Sequence, residues 1–253
     1  MKSLSLTALL VLSCVTAACS KGSDGPTSPT GPSPTAPASP TATALTISSA
    51  SNLVLVGSSA SLTATVAFSD GTTRQVTATW TSDNAAVATV DGSGRVTATG
   101  AGLATITASA EGRSGTLVIR GLPDFAGNWR VQVRELSCDV PPRWGAGFCN
   151  VSGLVTMTVL LTRADGDRVV GTVDNGIGWT GAVSGQVSLD GTLSLSGRLS
   201  SVRPTVTFHS DYSDWQTRLS PTVGMTGTFR EILTWVGEPD QGFVMSEVIR
   251  ASR

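Results

Sequence analysis

Lysine and histidine are almost missing from this chain, and so is any strong charge. Among 253 residues, Lys2 and Lys21 are the only lysines and His209 is the only histidine; charged side chains make up 14%, with a formal net charge of −1. A chain this close to neutral has no basic field to draw in a polyanion, which excludes nucleic acid and an anionic membrane surface as electrostatic partners. Long helices are excluded too. Gly is abundant at 28 residues, Ser and Thr are frequent, and strong helix formers do not recur at helical spacing.

Signatures of catalysis are also lacking. The chain holds no Gly-x-Ser-x-Gly elbow, His-Glu-x-x-His pair, phosphate loop or dinucleotide fingerprint. The five glutamates, Glu111, Glu135, Glu231, Glu238 and Glu247, show no pairing of the kind a glycosidase needs. His209 lies in the run Phe208-His-Ser-Asp-Tyr-Ser-Asp-Trp215 with Asp211 and Asp214. Alternation with Val206 and Phe208 points it outward, and Asp/Ser/Tyr runs make loops. The chain is therefore expected to be a non-enzyme without cofactor or metal.

What is present begins with a leader. Met1-Lys2 supplies a positive start and Leu4 to Val15 an apolar core. That core is too short to span a bilayer, so residues 1–18 read as a removable signal peptide. The segment Val15-Thr16-Ala17-Ala18-Cys19 resembles the lipobox of bacterial lipoproteins, with Thr16 where Leu is usual. The resemblance implies cleavage after Ala18 and lipidation of Cys19, and Ser20 is similar to a signal for outer-membrane sorting. Ordinary secretory cleavage after Ala18 is the alternative. Residues 19–43 are rich in Pro, Ser and Thr, have nothing to bury and read as a disordered tether.

Residues 44–121 alternate apolar and polar with period two, as in Leu62-Ala64-Val66-Phe68. Turn sequences Ser69-Asp70-Gly71-Thr72 and Asp91-Gly92-Ser93-Gly94 break about seven short strands, the pattern of a small antiparallel sandwich. Trp80 is expected in its core. Asp70, Asp83 and Asp91 are expected to form turns rather than to bind calcium. The runs Val76-Thr-Ala-Thr-Trp80-Thr-Ser-Asp-Asn84, Val87-Ala-Thr-Val-Asp91, Gly94-Arg-Val96 and Gly102-Leu-Ala-Thr-Ile106-Thr-Ala108 resemble the bacterial Ig-like group 2 family. The resemblance implies a surface-protein module acting as a spacer or a binding domain. A single copy favours the spacer.

Residues 122–253 carry a second pattern of strands and no helical stretch. Trp129-Val131-Val133, Val155-Met157-Val159-Leu161, Val169-Gly171-Val173 and Trp179 through Leu189 each present one apolar face. Asp190-Gly191 makes a two-residue hairpin turn into Leu193-Leu195-Gly197-Leu199. Consecutive hairpins predict an antiparallel meander, and closure into a β-barrel would remove its edges; a second sandwich is the alternative. Glycines on the inward face, Gly181, Gly185, Gly197 and Gly227, suit strongly bent strands. Gly127-Asn128-Trp129 is weakly similar to the start of lipocalin-like barrels. That resemblance implies an arginine from the last strand over Trp129, with Arg250 in the position to provide it.

Cys138 and Cys149 are the only thiols in the body of the chain, and in an exported protein they suggest one disulfide. A metal site there lacks further His or Cys ligands. The pinned loop would present Arg143, Trp144 and Phe148, residue types enriched in binding hot spots. They form the candidate recognition site, the alternative being that Trp144 and Phe148 plug the end of the barrel. The whole chain reads as all-β: a lipid-anchored, non-catalytic envelope protein displaying a binding module on an Ig-like spacer. Its expected contacts are the membrane through the N-terminal lipid and an envelope or extracellular protein, a glycan or a small apolar ligand. A lipocalin-like carrier of an apolar molecule is the first alternative and a β-scaffold hydrolase the second.

Overall fold

A computed structural model describes residues 38–145, 149, 153–203, 206–220 and 223–253. The signal segment, Cys19, most of the tether and Phe148 lie outside the described residues. Two all-β bodies follow one another along the chain.

The first body is a two-sheet sandwich that begins slightly before residue 44. One sheet has the order β1 (Ala42–Ser49), β3 (Ser59–Phe68), β7 (Arg95–Ala98), β6 (Ala88–Val90), with β4 (Thr73–Gln75) paired to β3. The other runs β2 (Leu53–Leu55), β9 (Arg113–Leu122), β8 (Gly102–Ala110), β5 (Thr79–Ser82). All pairs are antiparallel except β2 with β9. Alternating residues such as Ile47, Val66, Val96, Ile106 and Ile119 meet between the sheets. Turn chemistry holds the connections. Asp91 accepts hydrogen bonds from the Ser93 amide at 2.9 Å and the Arg95 amide at 3.0 Å, and Asp70 accepts one from the Thr72 amide at 2.9 Å. These bonds, led by those from Ser93 and Thr72 side chains, hold both carboxyls below the usual range.

Trp80 differs from expectation. It is half-buried at the margin of the core rather than inside it. Its ring lies over Gly94, where a Cβ would sit 3.0 Å from the indole and 2.9 Å from the Leu62 carbonyl. The turn glycine therefore provides the space for the indole as well as the positive φ of 81°.

The second body is a closed eight-stranded antiparallel barrel, in the order β10 (Gly127–Asp139), β11 (Leu154–Asp165), β12 (Arg168–Asp174), β13 (Thr180–Val187), β14 (Leu193–Arg203), β15 (Val206–Ser220), β16 (Gly224–Trp235), β17 (Gln241–Ser252). Each strand pairs with the next, and β17 pairs with β10 to close the ring. A single 3₁₀ turn, Pro142–Trp144, follows β10. The run 208–215, expected as a loop, is part of the long strand β15. Phe208, Ser210 and Tyr212 point inward, and a bulge around Asp214 (φ 51°) resets the alternation so that Trp215 and Thr217 also point inward. Its polar residues suit a strand because one face lies on the outside of the barrel.

The two bodies belong to one compact unit, Pro40–Arg253. Leu122, at the end of β9, and Phe125 are both fully buried in the barrel's core cluster. Arg120 of β9 reaches Asp167 in the β11–β12 turn at 3.0 Å, where Gln186 also donates to that carboxylate at 3.1 Å. These contacts place the sandwich at the barrel end formed by the start of β10 and the end of β17. The opposite end faces away from the sandwich.

The inward glycines occupy points of close strand approach. A Cβ on Gly181, Gly185, Gly197 or Gly227 would overlap a carbonyl oxygen of the paired strand: Arg198, Ser194, Ala182 and Gln216 respectively. Gly197→Ala is expected to lower the unfolding free energy by about 2 kcal/mol, in the range for overpacking a closed core. Chemical denaturation measures it, and an unchanged midpoint would contradict this packing.

Candidate functional site

The barrel's two ends are filled differently. Toward the sandwich, Trp129, Trp215, Met225 and Phe229 close the interior, each at most 4% exposed. The Trp129 indole N–H donates to the Phe125 carbonyl at 2.8 Å. An arginine does cover Trp129, but it is Arg253, whose guanidinium lies 4.7 Å from the ring centroid and also donates to the Asp124 carbonyl. Arg250 is exposed and lies beside Gln132. A bulge in the β10–β17 pairing leaves both Ile249 and Arg250 outside, between inward Val248 and Ala251, so simple alternation misplaces the covering residue.

At the far end the interior opens into a cavity of about 360 Å³. Aromatic rings form its rim. Trp144 on the 3₁₀ turn is turned inward and buried, with its ring edge-on to Phe208 at 6.3 Å and to Trp235 at 6.4 Å. Phe208 in turn lies 5.9 Å from Trp179 and 5.0 Å from Trp235. Val133, Met157, Leu199, Leu233 and Val244 supply the aliphatic wall, and Tyr212 borders the deeper Trp215–Phe229 stack.

The loop that carries Trp144 is held from two sides. Cys138 and Cys149 are disulfide-bonded, with a Cα–Cα distance of 5.7 Å. Arg143 pairs with Glu238 at 2.9 Å and with Asp240, both in the β16–β17 connection. The three loop residues named from the sequence therefore part company. Trp144 lines the cavity, Arg143 is engaged by acidic partners outside it, and Phe148 lies outside the described residues. At Gly242 a Cβ would come 3.1 Å from the Trp144 ring, so this glycine makes room for the indole.

A polar group on the cavity wall escaped the sequence reading. Glu231 of β16 points inward, and its Oε2 accepts a hydrogen bond from Ser210 Oγ of β15 at 2.9 Å. Tyr212, Ser246 of β17 and Glu135 of β10 also line the cavity. Burial pushes the Glu231 carboxyl up to about 7; the nearby Glu135 charge adds to this, and Ser210 opposes it. Burial, with the Glu231 charge second, raises the Tyr212 hydroxyl well above its ordinary value. The signal was available in the alternation Met225-Gly227-Phe229-Glu231-Leu233, where one carboxyl interrupts an apolar face. Only barrel closure brings it near Glu135.

The other polar groups singled out in the sequence are engaged on the outer face. His209 faces outward with its Nδ1 2.8 Å from Ser200 Oγ, and Asp211 pairs with Arg198 at 2.7 Å. Among the described residues no group of three or more His, Cys, Asp or Glu converges to hold a metal. A shallower depression where the sandwich meets the barrel contains Asp190, Arg218 and Arg253. There Arg218 pairs with Asp190, and Arg253 covers Trp129.

The Glu231 environment gives a signed pH dependence. Its ordinary value is 4.5 and its folded value about 7, so between those limits the folded state keeps a proton that the unfolded chain releases. Stability should therefore fall as pH rises through that window. Of the titratable groups that line the cavity with it, Glu135 and Tyr212, the Glu135 charge favours its neutral form. Glu231→Gln is expected to raise the melting temperature at pH 8 by roughly 5 °C and to leave it unchanged near pH 4.5. Equal melting temperatures at pH 8 would contradict a buried carboxyl.

No curated protein matches the chain. Residues 41–118, spanning β1 through most of β9 and hence the N-terminal sandwich, match the family model of the bacterial Ig-like domain (group 2).

Proposed function

We propose that this is a non-catalytic, lipid-anchored protein of the bacterial cell envelope whose barrel binds a small, largely apolar ligand. Cys19 provides the anchor, residues 19–43 the reach, and the Ig-like domain the spacer. The observation that carries the binding role is the cavity of about 360 Å³ between Trp144, Trp179, Phe208 and the aliphatic wall. Its size falls at the lower end of small-molecule sites, and a few polar groups on an apolar lining are the usual composition of such sites. An Ig-like domain of group 2 is consistent with an exported location.

This reading takes precedence over adhesion through the disulfide-bonded loop, because Trp144 is turned into the barrel and Arg143 is held by Glu238 and Asp240. It takes precedence over hydrolysis because the chain's only histidine projects from the outer face, remote in orientation from Ser210. A binding role needs neither a nucleophile nor a base.

A neutral solvatochromic naphthalene dye titrated into the protein is expected to brighten and shift to the blue with a micromolar Kd. Leu199→Trp, which fills the cavity from a fully buried position, should weaken that binding at least about tenfold while circular dichroism stays that of a β protein. Undiminished binding by that variant would place the dye elsewhere. For the anchor, Cys19→Ala is expected to move the protein from the membrane to the soluble fraction, and unchanged membrane association would remove the lipid from the account.

A further inference from the structure

We propose that the ligand of the barrel cavity is a protonated primary amine on a compact apolar body, with the Glu231 carboxylate as its counter-ion. The proposal rests on the cavity-binding reading above and adds the charge and chemical class of the ligand.

Charge is the first argument. Among the described residues, the cavity lining holds two carboxylates, Glu231 and Glu135, and no Lys, Arg or His. Several arginines around the barrel are held by acidic partners of their own: Arg143 by Glu238 and Asp240, Arg134 by Glu247, and Arg198 by Asp211. A carboxylate drawn into an apolar site is costly unless a counter-charge and hydrogen bonds accompany it. Here Ser210 supplies a hydrogen bond to Glu231, and no described residue of the lining supplies the positive charge. A ligand cation would.

Shape and donor chemistry narrow the class. An ammonium group offers three N–H donors. Besides Glu231, the Ser246 and Tyr212 hydroxyls on the adjoining strands can act as acceptors. The rings of Trp179, Phe208 and Trp144 stand around the mouth and suit both a cation over their faces and an apolar body between them. An anionic ligand would meet the Glu231 carboxylate at close quarters. A neutral ligand would leave Glu231 as it stands.

The pH dependence of binding follows from the same wall. Among the described residues, the ionisable and hydroxyl side chains that line the cavity with Glu231 are Glu135, Ser210, Tyr212 and Ser246, none of them cationic, so ionisation of Glu231 near pH 7 must precede or accompany capture of the cation. Affinity for an amine that is protonated throughout should therefore rise about tenfold between pH 6 and pH 8.

The test is isothermal titration of the full chain with three probes of matched shape: 2-phenylethylamine, 2-phenylethanol and 3-phenylpropanoate. The amine is expected to bind at least tenfold more tightly than the alcohol at pH 8, and the carboxylate to bind more weakly than either. Glu231→Gln should bring the amine down to the affinity of the alcohol and leave the alcohol unchanged, which also reports that the variant is folded. Glu231→Asp should keep part of the preference. Equal affinity for amine and alcohol in the native protein, or a preference that survives Glu231→Gln, would overturn the amine while leaving the cavity reading in place. If none of the three bound, both would fall.

Discussion

The pairing of β17 with β10 is the constraint on which the rest of the barrel depends. Without it, the eight strands would form an open sheet with two edges, and the inward residues of the first and last strands would face water. With it, Glu135 on β10 comes round to the side of β16 and β17, close enough for its charge to bear on Glu231. Closure also forces the sheet to coil. The inward glycines occupy positions where a Cβ would overlap the backbone of a paired strand, and four of the eight strand pairings contain a register shift. The interior is thus shaped by backbone geometry first and by side-chain packing second.

That shape is uneven along the barrel axis. The end next to the sandwich is closed by Trp129, Trp215, Met225 and Phe229, and Phe125 and Leu122 extend the same core into the connection between the bodies. The Asp190-Gly191 turn comes against Ala101 and Pro123 on that side. The far end holds the cavity and the tethered Trp144 loop. The sandwich therefore supports the closed end and leaves the mouth unobstructed, which suits presentation of a binding site from a spacer.

Much of this was legible in the residues alone, and the failures have definite causes. Period-two alternation and the turn pairs Asp70-Gly71, Asp91-Gly92 and Asp190-Gly191 locate strands because those signals are local. The disulfide was legible because Cys138 and Cys149 had no competing partner in the body of the chain. Bulges are not local signals. One hides the continuity of β15 past Asp214, and another turns Arg250 outward so that Arg253 covers Trp129. Glu231 and Glu135 looked unrelated because 96 residues separate them in the sequence numbering, and only the closed ring makes them neighbours. For Trp144 the sequence left two orientations open, presented at the mouth or plugging the barrel's end, and the inward one rests on Gly242 and on the Arg143 ion pairs, which only the folded chain brings together.

The central claim is that a carboxyl lies in the barrel with no cation to meet it among the described residues, and that a ligand can supply one. Carbon-13 NMR of glutamate side chains measures this directly, since the chain has only five glutamates to resolve. One side-chain carboxyl, removed by Glu231→Gln, is predicted to titrate near pH 7 and to shift to a lower value when 2-phenylethylamine is added. Five glutamates all titrating in the ordinary range, with none responding to the amine, would contradict the account.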